Sequence, residues 1–275
     1  MGSTGQLIKK LLPNFIISIW HKVIEIPFIK KVRDRRNVKK LYSKEACKKS
    51  SENSDLQFAN RSPKEVFTEI YEKQLWGKDE SEEFYSGSGS HTGDVVDVYV
   101  SAVQSFLKNL PYKPNGVDLG CGDFNVGMKV RSLCDHYIAC DVVRPLIERN
   151  KLFHKDLDVD FICLDICDDI LPSGDVVFVR QVFQHLSNQQ ILSVVSKLSI
   201  YKYLILSEGL PPNRNFIANI DKPIGDGIRC FRGEDDSGIV LTLPPFNLFR
   251  KSETILCEVP VGDLAIIRTT AYKLQ

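Results

Sequence analysis

Short apolar runs alternate with amphipathic stretches through the middle of the chain. The runs occupy 117–119, 137–141, 161–165, 175–179 and 203–207, and all but the first end at or next to a polar or charged residue. Their β-branched and aliphatic content is typical of buried strands. Apolar residues at helical spacing predict helices between them, at 126–134, 145–150 and 187–198. The alternation predicts an α/β fold with a doubly wound, mostly parallel sheet.

The end of the chain has a different pattern. Two apolar segments, 254–259 and 265–271, flank the turn sequence Pro260-Val261-Gly262-Asp263 and predict an antiparallel hairpin. The hairpin brings the predicted sheet to seven strands. Residues 209–250 show little helical periodicity, so we expect an insertion that covers a site at the edge of the sheet.

Residues 61–114 precede the first strand, and we expect them to form a helical cap. Ser62, Pro63 and Glu65 have the spacing of an N-cap, a first helical residue and the third position of a capping box. A glycine- and serine-rich run, 85–91, lies between two segments with apolar periodicity. It predicts a mobile lid over a ligand, and a bare linker is the alternative.

Residues 1–60 form a basic extension, with amphipathic helical spacing in its first half and a polar linker in its second. The first 50 residues hold 13 Lys and Arg against three acids, and the remainder holds 23 against 32. The uncharged stretch 11–20 is too short to span a bilayer. We expect residues 1–40 to contact an anionic membrane, and the alternatives are packing on the folded domain or an oligomer contact. The expected domain division is 1–60 and 61–275.

Composition is that of an ordinary soluble globular protein, with 43% hydrophobic and 26% charged residues. Eight cysteines occur without any Cys-x-x-Cys pair, so a zinc site is not predicted. We expect reduced cysteines, no bound metal and a cytoplasmic protein, with peripheral membrane contact as an addition.

A glycine turn follows the first predicted strand, in Asp118-Leu119-Gly120-Cys121-Gly122. Glycines let the backbone turn tightly and approach a ligand closely. Acidic residues close the next two strands, Asp141 and Asp165. A glycine turn followed by a carboxylate about 20 residues later is typical of a nucleoside site. A dinucleotide turn would have a third glycine at the position of Asn125, which disfavours an NADH-dependent oxidoreductase.

The pattern Asp118-x-Gly120-x-Gly122 resembles motif I of class I methyltransferases that use S-adenosylmethionine (SAM). The resemblance implies a Rossmann-like seven-stranded sheet, the methionine part of SAM at the glycine turn, ribose at Asp141 and adenine near Asp165. The residues expected at the cofactor are Asp118, Gly120, Cys121, Gly122, Asp141, Val142, Asp165, Ile166 and Arg180.

The stretch 179–188, VRQVFQHLSN, resembles the motif after the fourth strand in small-molecule and sugar methyltransferases. Segments 201–205, 237–241 and 244–246 are similar to a bacterial and viral subgroup often linked with glycan or small-metabolite modification. The implied acceptor is a hydroxyl of a saccharide or glycan precursor, with a small secondary metabolite methylated on oxygen or nitrogen as the alternative. A nucleic acid is not expected, since residues 51–275 are acidic overall.

A hydroxyl is a poor nucleophile at neutral pH, so its methylation usually needs a general base or a metal. We expect His185 as the base because it follows the fourth strand and imidazole titrates near pH 7. A capping or packing role is the alternative for His185. His91 is the second candidate, and Glu208 could orient the acceptor, act as base or bind a divalent ion. A non-catalytic SAM-binding or membrane-associated partner stays open, and the oligomeric state is not predicted.

Overall fold

The computed structural model describes residues 57–58, 60–79, 83–213, 215–231, 236–262 and 265–275. The predicted membrane-contacting stretch 1–40 lies outside these residues. No helix in the described part of the chain has the length and apolar character needed to cross a bilayer.

Within the residues that the structure describes, three helices precede the sheet: α1 (Pro63–Glu72), the short α2 (Ser88–His91) and α3 (Gly93–Lys108). The predicted start of α1 is confirmed, since Ser62 and Glu65 form both hydrogen bonds of a capping box. Ahead of that helix, Phe58 is fully buried in the main core. The glycine- and serine-rich run contains α2, so its residues are part of the folded domain.

Seven strands form one sheet in the described residues: β1 (Gly116–Leu119), β2 (Tyr137–Asp141), β3 (Asp160–Cys163), β4 (Val176–Arg180), β5 (Tyr203–Leu210), β6 (Ser252–Val261) and β7 (Ala265–Lys273). Their spatial order is β3-β2-β1-β4-β5-β7-β6. β1 to β5 are parallel, while β7 runs antiparallel to both β5 and β6. The predicted α/β fold with a C-terminal antiparallel hairpin is confirmed.

The order of the strands places the change of winding direction between β1 and β4. Ligands of open parallel sheets bind at such a point, beyond the carboxyl ends of the strands. The strands bury both faces, and Val177 and Phe178 of β4 belong to separate cores on opposite sides of the sheet. This buried sheet is a rigid base for the loops at its carboxyl edge.

In the described part of the chain, two further helices cover the sheet, α4 (Arg144–Phe153) and α5 (Asn188–Val195). α5 begins with a second capping box, between Ser187 and Gln190. The helix predicted at 126–134 is wrong, because two 3-10 turns, Gly127–Lys129 and Arg131–Leu133, take its place. Neither turn has a side-chain cap, and glycine near the start disfavours a continuous α-helix.

Candidate functional site

The glycine turn after β1 has the left-handed backbone that glycine favours. Gly120 and Gly122 have φ angles of 79° and 56°. The main-chain N–H groups of Gly120 and Cys121 donate to the carbonyl oxygen of Cys140 on β2, at 2.8 and 2.9 Å. A β-carbon at Gly120 would collide with the side chain of Val182. The turn is therefore closely packed between β2 and the segment that follows β4.

Asp141 ends β2 beside this turn. Its carboxylate accepts hydrogen bonds from the main-chain N–H of Gly122 and of Val143, both at 3.1 Å. Burial raises the pKa of Asp141 to about 6, although these hydrogen bonds favour the charged form. Each carboxylate oxygen has a second lone pair, so Asp141 can also accept a hydrogen bond from a ligand.

The loop after β3 forms the next part of the site. The N–H of Leu164 donates to the carbonyl of Asp141, which fixes the start of this loop beside β2. Asp165 accepts from the N–H of Cys167 at 2.9 Å, and burial raises the pKa of its carboxyl group. The loop brings Asp165 and Ile166 to the same cavity as the glycine turn.

The predicted lid lies over the glycine turn. Asp123 accepts from the N–H of Ser86 at 2.8 Å, and its own N–H donates to Ser86 Oγ at 2.8 Å. His91 Nε2 lies 2.7 Å from Asp123 Oδ2. Asp123 was missed at the level of sequence, although its place directly after the turn is a signal for a contact at the site. It ties the two ends of the lid to β1.

Two further side chains hold α2 in the lid. Arg180, at the end of β4, donates to the carbonyl of Gly89 at 2.6 Å and to Ser90 Oγ at 3.2 Å. Asn125 Nδ2 donates to the carbonyl of Ser90 at 2.7 Å. Asn125, which stands where a dinucleotide-binding turn would have its third glycine, thus holds the lid in place.

These elements enclose a cavity of about 880 Å³. Ten of the predicted site residues line it: His91, Gly120, Cys121, Gly122, Asp141, Val142, Asp165, Ile166, Arg180 and His185. The 209–250 insertion contributes Asp226, Gly227 and Ile228 to the wall. The volume is that of a typical ligand site.

Asp118 is not part of the lining of this cavity, which corrects its prediction as a direct cofactor contact. It lies beneath the glycine turn beside a second cavity of about 30 Å³, and it accepts a hydrogen bond from Tyr137 at 3.2 Å. Burial raises the pKa of Asp118 to about 7. The side chain of Asp118 therefore supports the turn from below.

Glu208 is likewise absent from the lining, and its prediction as a catalytic group is corrected. Its carboxylate accepts the main-chain N–H groups of Val182, Phe183 and Gln184, at 3.1, 2.9 and 3.2 Å. Burial raises the pKa of Glu208 to about 8. Glu208 holds the 3-10 turn Phe183–His185 and so positions His185.

His185 lies in the cavity wall, where Trp76 packs against it with ring centroids 4.9 Å apart. Its Nδ1 lies 3.2 Å from the carbonyl oxygen of Gly225. A carbonyl only accepts, so Nδ1 carries the proton and Nε2 carries the lone pair. Burial, together with the charge of Lys222, lowers the pKa of His185 to about 3. His185 is therefore neutral at pH 7, and the expectation that it titrates near that pH is wrong.

The cap and the insertion meet beside His185. Trp76 Nε1 donates to the carbonyl oxygen of Asp226 at 3.3 Å. Arg229, fully buried in the insertion, donates to the carbonyls of Phe183 and Leu186 at 3.0 and 2.7 Å. The cavity wall around His185 is therefore built from the cap and the insertion, which lie outside the sheet.

Within the described residues, no three His, Cys, Asp or Glu side chains are grouped to hold a metal ion.

Neither a family model nor a curated protein matches this sequence. Solved structures do share its fold. A SAM-dependent methyltransferase from Leishmania major has a TM-score of 0.51 and 14% identity, covering 85% of this chain and 91% of its own.

Two other solved structures have lower scores. The N-methyltransferase NodS from Bradyrhizobium japonicum WM9 has a TM-score of 0.49 and 14% identity, covering 66% of this chain and 88% of its own. Magnesium protoporphyrin IX methyltransferase from Synechocystis PCC 6803 has a TM-score of 0.48 and 14% identity. The match covers 78% of this chain and 99% of that protein. The strand order and the likeness to the Leishmania protein together show that the chain has the class I fold of SAM-dependent methyltransferases.

Proposed function

We propose that this chain is a SAM-dependent methyltransferase that transfers a methyl group to a hydroxyl of a saccharide or glycan precursor. The observation that carries the proposal is the convergence of the glycine turn, Asp141 and Asp165 on one cavity at the carboxyl edge of the parallel strands. Fold alone does not fix activity, so the support comes from these residues and their geometry.

The residues present fit SAM. Gly120 and Gly122 line the cavity, and their left-handed φ angles hold the turn at the place where the charged amino-acid tail would lie. Asp141 offers carboxylate oxygens for the two ribose hydroxyls, and Ile166 offers an apolar surface for adenine. When bound, SAM supplies an electrophilic methyl group on a positively charged sulfur.

The lid and the insertion would exclude water from this site. The lid closes over Gly122 through Ser86, and a β-carbon added at Gly122 would collide with the Ser86 side chain. The insertion contributes Asp226 to the wall, and the carbonyl oxygen of Asp226 accepts a hydrogen bond from Trp76 of the cap. Exclusion of water favours attack by the acceptor over hydrolysis and strengthens electrostatic interactions.

The lone pair on His185 Nε2 faces the side-chain amide of Gln184, whose Nε2 lies 3.4 Å away, and an acceptor hydroxyl would take the place of this donor to pass its proton to His185. A hydroxyl becomes far more acidic as its oxygen gains a new bond, so even a weak base can take the proton late in the reaction. The Nδ1 bond to Gly225 and the Glu208 contacts fix the imidazole before the acceptor arrives. We therefore retain His185 as the proposed base, with His91 as the second candidate.

The cavity wall supports an uncharged, hydroxyl-rich acceptor. Trp76 and Tyr85 offer aromatic surfaces, and Asp79 and Asp226 are carboxylates near the outer end. The lining holds four Asp residues and two Lys or Arg residues, which disfavours a phosphate-rich acceptor. The aromatic wall also favours a small secondary metabolite, which is the second candidate acceptor.

We also propose that residues 1–40 place this enzyme at an anionic membrane on the cytoplasmic side. The supporting feature is the basic, amphipathic sequence of this stretch. Deletion of residues 1–50 should reduce binding to vesicles that contain anionic lipid, and should not reduce binding to neutral vesicles. Equal binding of both proteins to anionic vesicles would contradict this part of the proposal.

The main test is ligand binding followed by turnover. We expect S-adenosylhomocysteine, and not NADH, to raise the melting temperature of the full chain. A panel of saccharides and small metabolites with SAM should then yield S-adenosylhomocysteine. Asp141→Ala should abolish this binding. An unchanged affinity would remove Asp141 from the site, and binding without turnover on any acceptor would favour a non-catalytic SAM-binding protein.

A further inference from the structure

A lysine outside the cavity holds the loop that forms one of its walls. Lys197 follows the carboxyl end of α5, and its Nζ donates to the carbonyl oxygens of Ile166, Cys167 and Asp169 at 2.7, 2.9 and 3.0 Å. Three donors on one ammonium group meet three main-chain acceptors of a single loop. Ser193 Oγ donates to the carbonyl of Cys167 as well.

The same loop lines the proposed cofactor cavity. Leu164, Asp165, Ile166 and Cys167 all contribute to its wall. Inside the loop, the N–H of Asp165 donates to the Asp169 carboxylate at 2.8 Å, and the N–H of Asp169 donates back to the Asp165 carbonyl at 2.9 Å. The loop is therefore a closed turn, and Lys197 and Ser193 attach this turn to α5.

Electrostatics favour a cation at this position. Asp165, Asp168 and Asp169 place three carboxyl groups within one short loop. The three carbonyl dipoles that converge on Nζ would repel each other without a positive charge between them. The carboxyl end of α5 also favours a positive charge in its vicinity. Loss of the ammonium group should therefore let Ile166 and Cys167 move, and these residues line the cavity.

We propose that Lys197 is a positioning residue that sets cofactor affinity by fixing the adenine-side wall of the cavity. The inference rests on the proposed function, because the ligand expected against Ile166 is the adenine of SAM. Lys197 acts through the main chain of the loop and has no direct role in chemistry.

The test is calorimetric titration of the full chain with S-adenosylhomocysteine and with adenosine, which shares the adenine end. Lys197→Met should weaken the binding of both ligands by at least about tenfold, since hydrogen bonds from a charged donor are lost. With an active acceptor, KM for SAM should rise by a similar factor. kcat at saturating SAM and KM for the acceptor should stay near wild type.

Lys202→Met is the matched control. Lys202 pairs with Asp175 at 2.8 Å, at the start of β4 and β5 and thus at the opposite edge of the sheet. The Lys202→Met variant should lose stability but keep the wild-type affinity for both S-adenosylhomocysteine and adenosine. Lys197→Arg should restore much of the affinity, because guanidinium offers several donors to the same carbonyls. A merely structural role for Lys197 would lower kcat and raise the KM values for SAM and for the acceptor together.

The results of these titrations distinguish a failure of the proposed function from a failure of the role proposed for Lys197. If the wild-type chain binds neither S-adenosylhomocysteine nor adenosine, the proposed function fails. If the wild type binds them and Lys197→Met binds equally well, the role of Lys197 is overturned and the proposed function stands. Should Lys197→Met fail to fold, Ser193→Ala is the second variant. It should weaken adenosine binding more modestly, and an unchanged affinity there would also overturn the inference.

Discussion

His91 Nε2 lies 2.7 Å from Asp123 Oδ2, and this hydrogen bond joins the lid to the residue directly after the glycine turn. The imidazole also stacks on Tyr85, with ring centroids 4.5 Å apart. Burial opposes the ionisation of Asp123, but its interactions with His91 and its hydrogen bonds from Ser86 and Asn125 together lower the pKa of that carboxyl group. Asp123 is therefore charged at neutral pH and can accept several hydrogen bonds at once.

Asp123→Asn should open the lid. A carboxamide cannot accept from Ser86, Asn125 and His91 together, because its NH₂ group would face donors. We expect about a tenfold loss of affinity for S-adenosylhomocysteine, in keeping with the loss of one charge-assisted hydrogen bond. Calorimetry measures this affinity. His91→Asn should have a similar effect, and the double variant should be little worse than either; fully additive losses would show that the two residues act independently.

His185 should give the protein an acid-sensitive stability. Its pKa falls from 6.5 to about 3 on folding, so between these values the unfolded chain binds the extra proton. Stability should therefore decrease as the pH falls below 6.5, by up to about 1.4 kcal/mol per pH unit from this group. Urea unfolding of wild type and His185→Phe between pH 4 and 7 measures the slope. Parallel slopes would mean that His185 is not buried as a neutral group.

The His185→Phe variant also tests whether His185 is the general base. His185→Phe keeps an aromatic ring against Trp76 but removes the acceptor atom Nε2. kcat should fall by about 100-fold or more, the usual contribution of a positioned base, while affinity for S-adenosylhomocysteine changes little. Turnover equal to wild type would remove His185 as the base and direct attention to His91.

The strands, the hairpin and the capping box of α1 could be predicted from sequence, because their signals are local. β-branched runs and the Ser62 to Glu65 spacing need no information from distant residues. The resemblance around Gly120 added the expectation of a Rossmann-like seven-stranded sheet. The helix predicted at 126–134 failed where side chains from elsewhere decide the backbone: Arg131 is buried and donates to the carbonyl of Leu157 at 2.9 Å.

Roles within the site were harder to predict than its location. Glu208 and Asp118 lie at the predicted edge, but only the folded chain shows that one carboxylate meets three N–H groups and the other meets Tyr137. Asp123 and Ser86 are 37 residues apart in sequence, and nothing in the local pattern of either residue indicates the other. Sequence thus identified the residue types at the cavity, whereas their partners depend on tertiary packing.

Asp118 should give the protein a stability that depends on pH in the opposite direction to the contribution of His185, and Asp118→Asn should remove this dependence. The pKa of Asp118 rises from 3.8 to about 7 on folding, so between these values the folded chain holds the extra proton. Wild-type stability from this group therefore decreases as the pH rises from 4 to 7. Asparagine cannot ionise and still accepts from Tyr137, so the variant should gain stability relative to wild type over that range. Melting temperatures of both ligand-free proteins measure the difference, and a constant difference would contradict it.

Gly122→Ala and Gly262→Ala separate backbone strain from the packing of the lid. Both glycines have left-handed φ angles, 56° and 61°. A β-carbon at Gly122 would collide with Ser86, whereas one at Gly262 would meet no atom of the described residues within 4 Å.

Each variant should lose about 1 kcal/mol of stability from the unfavourable φ angle. Only Gly122→Ala should also displace Ser86, weaken the lid and lose affinity for S-adenosylhomocysteine, since Gly262 lies in the turn between β6 and β7. Chemical unfolding and calorimetry on the two variants measure both effects. If Gly122→Ala binds as tightly as Gly262→Ala, the close approach of the lid to the glycine turn is not needed for cofactor binding.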